Sequence, residues 1–94
     1  MDRNGYNPSL FDTEDGTCYL CNFVGDTARH EVIYGTGNRK QSKKYGLWLA
    51  LCPRCHTRVH SNPKEYEWLK KRAYNLFCEE HSKEFFYEIY KRYY

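Results

Sequence analysis

Two C-x-x-C pairs, Cys18/Cys21 and Cys52/Cys55, stand 30 residues apart in a chain of 94. A two-residue gap lets both thiolates of a pair turn inward on one tight knuckle and take two corners of a tetrahedron. Two knuckles then complete a four-cysteine zinc site. Two disulfides are the competing reading. The opening residues, MDRNGYNPSL, carry no apolar stretch behind a basic segment, so no secretory leader is expected. The expected compartment is a reducing cytoplasm, where paired cysteines point to a metal before a disulfide. No apolar run approaches the ~18 residues of a membrane span, so no membrane association is expected. A zinc ion also suits the length: a single domain of this size has a thin core, and the free energy of zinc binding becomes free energy of folding. Cys78, the fifth cysteine, precedes His81 by three residues. That spacing fits a half-site, but a small buried apolar side chain near a helix end is the simpler reading.

Around the knuckles the pattern predicts an α+β domain. Residues 1–16 read as a polar arm with turns at Asn4-Gly5, Asn7-Pro8 and Asp15-Gly16, and with Leu10 and Phe11 able to tuck onto a core. A single zinc-stabilised domain is expected over 17–94, made of a hairpin-plus-helix core (17–61) and a helical tail (62–94). Arg29–Tyr34 is short, β-branched and aromatic and reads as a strand; Leu47–Leu51 reads as its antiparallel partner. Between them Gly35–Asn38 reads as a loop and Arg39–Lys44 as one helical turn. Cys52-Pro53-Arg54-Cys55-His56 opens a helix reaching about His60. Asn62-Pro63-x-Glu65 is a helix start with a capping box. Tyr66, Leu69, Ala73 and Leu76 then give an amphipathic period, and Ser82 caps a last helix with Phe85, Phe86, Ile89, Tyr90 and Tyr93 on its apolar side. The ten aromatics of the last 29 residues read as core rather than as a base-stacking platform.

Charge is partitioned. The net +3 comprises −4 over residues 1–28, +8 over 29–72 and −1 over 73–94. The basic segment holds the second cysteine pair and three of the four histidines, His30, His56 and His60. An excess of this size favours a polyanion, with Arg39, Lys40, Lys43, Lys44, Arg54 and Arg58 as the expected nucleic-acid contacts. His56 follows a knuckle cysteine directly, and His56 and His60 share a helix face. His30 on the first strand can meet them across the hairpin. Such a set suits a divalent ion that polarises water or a phosphate.

These blocks carry a resemblance. His-Glu-Val-Ile-Tyr-Gly-Thr-Gly-Asn-Arg at 30–39, Tyr-Gly-Leu-Trp-Leu-Ala-Leu-Cys at 45–52, Cys-His at 55–56 and Val-His at 59–60 follow the first C-x-x-C. The pattern resembles the HNH nuclease superfamily with its ββα-metal fold, and in particular the small zinc-binding HNH-like proteins of bacteriophages and prophages. The resemblance covers about residues 10–92. It implies a hairpin and helix gripping one divalent ion, Mg²⁺, Mn²⁺ or Zn²⁺, with a structural Zn²⁺ on the four cysteines. In strict register His30 falls in the metal-ligand slot and Glu31 in the general-base slot; a slip of one residue makes His30 the base. A carboxylate, with an ordinary pKa near ~4.3, needs burial to serve as a base at neutral pH. His56 matches the last motif histidine, a metal ligand, and His60 an additional ligand. The usual Asn slot holds Leu47, so Asn38 is the substitute.

The resemblance therefore implies a metal-dependent DNA endonuclease hydrolysing phosphodiester bonds in the cytoplasm of a bacterial host. Two alternatives remain open: a non-catalytic zinc-stabilised DNA-binding module, and a phage accessory protein that docks on a host protein through its aromatic tail.

Overall fold

The spacer between the cysteine pairs folds as an antiparallel hairpin with a helix at its tip and another at its exit. The computed structural model describes residues 2, 4–33 and 37–94. Its elements are β1 (Ala28–Glu31), α1 (Asn38–Lys44), β2 (Trp48–Leu51), α2 (Pro53–Ser61), α3 (Pro63–Glu80) and α4 (Lys83–Tyr90). The described residues thus form a small α+β fold with one two-stranded sheet and four helices. Ala28 pairs with Leu51 and Glu31 with Trp48, which fixes the antiparallel register.

The first strand is shorter than the expected 29–34. Val32 still donates its N–H to Leu47 O (3.0 Å), but the chain then leaves the ladder, with Val32 and Ile33 buried. Tyr34, Gly35 and Thr36 of the expected strand end and loop lie outside the described residues. α1 begins at Asn38 and makes two turns rather than one. Buried Ser42 explains its position: the hydroxyl donates to Ile33 O (2.6 Å) and hydrogen-bonds the Tyr90 hydroxyl (3.0 Å), tying α1 to the exit of β1 and to α4.

Strand alternation sends His30, Leu49 and Leu51 to one face of the sheet and Arg29, Glu31 and Trp48 to the other. Helix α2 covers the first. The second is covered by the N-terminal segment, which is seated rather than free. Tyr6 meets Trp48 edge-on (5.6 Å), Trp48 Nε1–H donates to Asn7 O (2.8 Å), and Leu10 N–H donates to Gly46 O (2.8 Å). The Arg29 guanidinium lies over both rings and pairs with Asp2 and Asp15. Tyr6 and Phe11 are buried as a result.

Gly46 makes this seating possible. Its φ is +73°, and a Cβ there meets Pro8 O at 2.2 Å. Gly46→Ala is expected to cost at least the ~1–3 kcal/mol of a non-glycine residue in a left-handed conformation. A drop in the denaturant midpoint checks this; an unchanged midpoint means that the segment does not sit against Gly46.

The helical tail packs through Tyr66, Leu69, Ala73 and Phe77 of α3 and Phe86 and Tyr90 of α4. Phe77 takes the buried place expected of Leu76, which is half-buried, and Tyr93 lies exposed beyond the end of α4. Asn62 caps α3 by accepting from Glu65 N–H (3.2 Å), and Ser82 caps α4 by accepting from Phe85 N–H (3.0 Å). The reciprocal half of the expected capping box is absent. Asn62 N–H is satisfied by Val59 O, and the Glu65 carboxylate takes Arg58 instead. Among the described residues no helix is long and apolar enough to cross a membrane.

Candidate functional site

Strand β2 assembles the cysteine cluster. Tyr19 N–H donates to Ala50 O (2.8 Å), which lashes the first knuckle alongside β2, and β2 itself runs into Cys52, the start of the second. The first knuckle closes through Cys18 N–H to Phe23 O (2.8 Å) and Asn22 N–H to Cys18 O (2.9 Å). Asn22 there adopts a φ of +64°, a region asparagine tolerates better than most residues. In the second, Cys52 is the N-cap of α2, its sulfur accepts Cys55 N–H (3.5 Å), and Pro53 occupies the first helical position.

The sequence spacing therefore ends in a real convergence: the four sulfurs lie within 4.8 Å of one another, with Cys18, Cys52 and Cys55 buried and Cys21 at the rim. Cys21 Sγ and Cys52 Sγ are 3.8 Å apart. A tetrahedral ion with Zn–S bonds of ~2.3 Å places neighbouring sulfurs ~3.8 Å apart, whereas a disulfide needs ~2.05 Å. All four thiols are free of disulfides. Burial alone raises the Cys18 thiol, but the N–H groups of Cys52, Cys21 and Leu20 outweigh it and bring the pKa to about 6. Burial and the neighbouring sulfurs push Cys55 up to about 12. Four crowded sulfurs resist becoming four thiolates, and a divalent cation removes that conflict. The cluster can hold a metal ion such as zinc.

A second cluster lies between β1 and α2. His30, His56 and His60 offer ring nitrogens within 4.8 Å of one another, and their ring centroids are 4.9–5.3 Å apart. His56 and His60 share a face of α2 at a spacing of four; His30 meets them because its strand position points toward that helix. His30 is 3% exposed, and its Nε2 is buried without a hydrogen-bond partner among the described residues. Burial, then the His56 and His60 rings, lowers the His30 pKa to about 4. Burial and His60 also lower that of His56. Both are therefore neutral imidazoles near pH 7, the form that binds metals.

The His30-Glu31 doublet is split by the strand. Glu31 points to the opposite face of the sheet, where its Oε1 accepts from the Tyr6 hydroxyl (2.7 Å) and from Arg39 Nε (2.8 Å). Burial raises its pKa, but these two donors outweigh it and hold the group below the ordinary carboxylate range. Glu31 is thus a buttress for Arg39, and the structure does not bring it to the imidazoles. Asn38 opens α1 and lines a cavity with Ile33 and Tyr90. Arg39, Lys40, Lys43 and Lys44 line a surface groove of about 910 Å³ along α1. Arg54 and Arg58 are exposed on α2, with Arg58 bound to Glu65.

Cys78 is half-buried at the edge of the helical core. His81 packs its ring on Phe77, Phe85 and Tyr45, so the pair joins neither cluster. One site residue was hidden in the sequence. Tyr66, expected only as core, puts its ring edge against His30 (5.6 Å) and His60 (6.1 Å) and donates its hydroxyl to Val32 O (3.0 Å). Its amphipathic spacing signals burial and nothing more. The chain matches no protein family, no curated protein and no solved structure.

Proposed function

We propose that the protein is a metal-dependent DNA endonuclease of HNH type, with the cysteine cluster as a structural zinc site and His30, His56 and His60 as ligands of the catalytic ion. One observation carries this reading: a buried imidazole nitrogen, His30 Nε2, without a hydrogen-bond partner among the described residues and facing two further imidazoles. An unsatisfied buried polar atom is costly, and ligation satisfies it. A bound divalent ion would supply Lewis-acid polarisation of a phosphoryl oxygen and of an attacking water. Three imidazoles suit Zn²⁺ and its late first-row neighbours, whereas Mg²⁺ prefers oxygen donors.

The chain's own residues supply the rest. The +8 segment attracts the phosphate backbone. Glu31 fixes Arg39 through Nε, leaving the remaining guanidinium N–H groups for a phosphate at the edge of the α1 groove.

One observation favours a second reading, a DNA-binding module without chemistry: Glu31 is turned away from the imidazoles and held by Arg39. A plasmid-nicking assay with Mg²⁺, Mn²⁺, Co²⁺, Ni²⁺ or Zn²⁺ separates the two. Nicking is expected with a late first-row ion. His30→Ala and His56→Ala are each expected to lower it about a hundredfold or more, since loss of even an outer partner of a metal ligand costs ~10–100-fold. DNA that is bound but never cut, whatever the ion, establishes the module reading.

A further inference from the structure

Helix α3 has two faces of different kinds. Tyr66, Leu69, Ala73 and Phe77 are buried on one. At 100° per residue, Lys64, Trp68, Lys71, Arg72 and Asn75 lie on the opposite side, within about 60° of Trp68. Trp68 is 55% exposed, and its indole makes no ring contact or hydrogen bond with any described residue. Trp48, the chain's other tryptophan, is 5% exposed and has its N–H bonded. An outward indole adds nothing to the core, so packing does not account for it.

The unpaired charges nearest Trp68 have one sign. Lys64, Lys71 and Arg72 make no ion pair with any described residue. Of the nearby acids, Glu65 is neutralised by Arg58 (3.1 Å) and Glu67 by Lys70 (3.2 Å). Glu79 lies three turns further along, ~16 Å from Trp68.

We infer that this face of α3 is a docking strip for single-stranded nucleic acid, with Trp68 as the stacking platform for a base and Lys64, Lys71 and Arg72 as its phosphate contacts. Cations flanking a free aromatic face are the combination that single strands recognise. A duplex offers the same phosphates but keeps its base faces stacked, which selects the single strand. The strip needs no metal and none of the histidines, so it goes beyond the nuclease reading and stands apart from it.

Titration of the full chain with a dye-labelled thymidine hexadecamer, read by the label's anisotropy for every variant and by tryptophan emission for the parent, tests the inference. Saturable quenching is expected, because Trp68 is the accessible indole. Trp68→Ala is expected to weaken binding about tenfold or more, and Trp68→Phe to restore most of it. Lys71→Ala with Arg72→Ala is expected to flatten the slope of log affinity against log salt by about 1.4. The titration is run without added divalent ion, so the proposed cleavage plays no part in it. Failure of nicking therefore leaves this inference intact, and the reverse also holds. Three outcomes overturn it: Trp68→Ala binding the oligomer unchanged, a duplex of equal length competing equally well, or anionic lipid vesicles altering the emission while the oligomer does not.

Discussion

Cys21→Ser is expected to abolish cooperative unfolding, as are Cys18→Ser, Cys52→Ser and Cys55→Ser. Cys21 is the informative member because it is exposed. A surface substitution ordinarily changes stability by about 0.5 kcal/mol or less, so packing predicts almost no effect there. Ligation predicts the opposite. Its sulfur stands 3.8 Å from that of Cys52, at the corner spacing of a zinc tetrahedron. Structural zinc contributes ~10–16 kcal/mol in small domains, which equals or exceeds the ~5–15 kcal/mol of a whole native domain. A chain that cannot hold the ion therefore has no folded state left to melt. Thermal melts followed by circular dichroism, with zinc analysis of each variant, check this. Cys78→Ser should keep both its zinc and its transition, because that thiol belongs to neither cluster. A serine variant at Cys21 that melts cooperatively at the parental temperature removes the zinc argument.

The features legible in the sequence were those set by local spacing. The two C-x-x-C knuckles, the His56/His60 pair and the caps at Asn62 and Ser82 each depend on neighbours within four residues. The structure keeps all of them. What escaped depends on partners distant in the chain. The seating of Tyr6 and Asn7 rests on Trp48, some forty residues away, and on a glycine that leaves room for Pro8 O. Polar composition gave no sign of it. Glu65 was free to choose between its own helix end and Arg58, and the charge won. The fate of Glu31 was readable in principle. Neighbouring strand residues point to opposite faces, so a doublet on a strand cannot send both side chains to one ion. That consequence required knowing which face α2 covers, which hairpin register decides and residue spacing does not.

The helical tail should respond to damage differently from the cysteine cluster. Phe77 is fully buried and is the centre of the aromatic packing: its ring centroid lies 5.6 Å from that of Tyr45, 5.3 Å from Phe86, 5.8 Å from Phe85 and 4.6 Å from His81. It joins α3 to α4 and to the turn after α1. Phe77→Ala is expected to cost about 3–5 kcal/mol, the usual range for an emptied aromatic site. It leaves the Ser42–Tyr90 hydrogen bond and the Tyr45–Phe85 ring contact (5.7 Å) to tie α1 and its C-cap to α4. The knuckles, however, are held by β2 and the first turn of α2, through contacts that do not involve Phe77. The variant is therefore expected to unfold at a much lower denaturant concentration while binding as much zinc as the parent before the transition. Phe77→Leu, which refills most of the volume, should recover the larger part of the loss. Zinc content and the unfolding midpoint, measured on one sample, decide the matter. If Phe77→Ala released the ion as the serine variants do, the knuckles would depend on the tail, and a hairpin with α2 fastened by zinc on its own would be excluded.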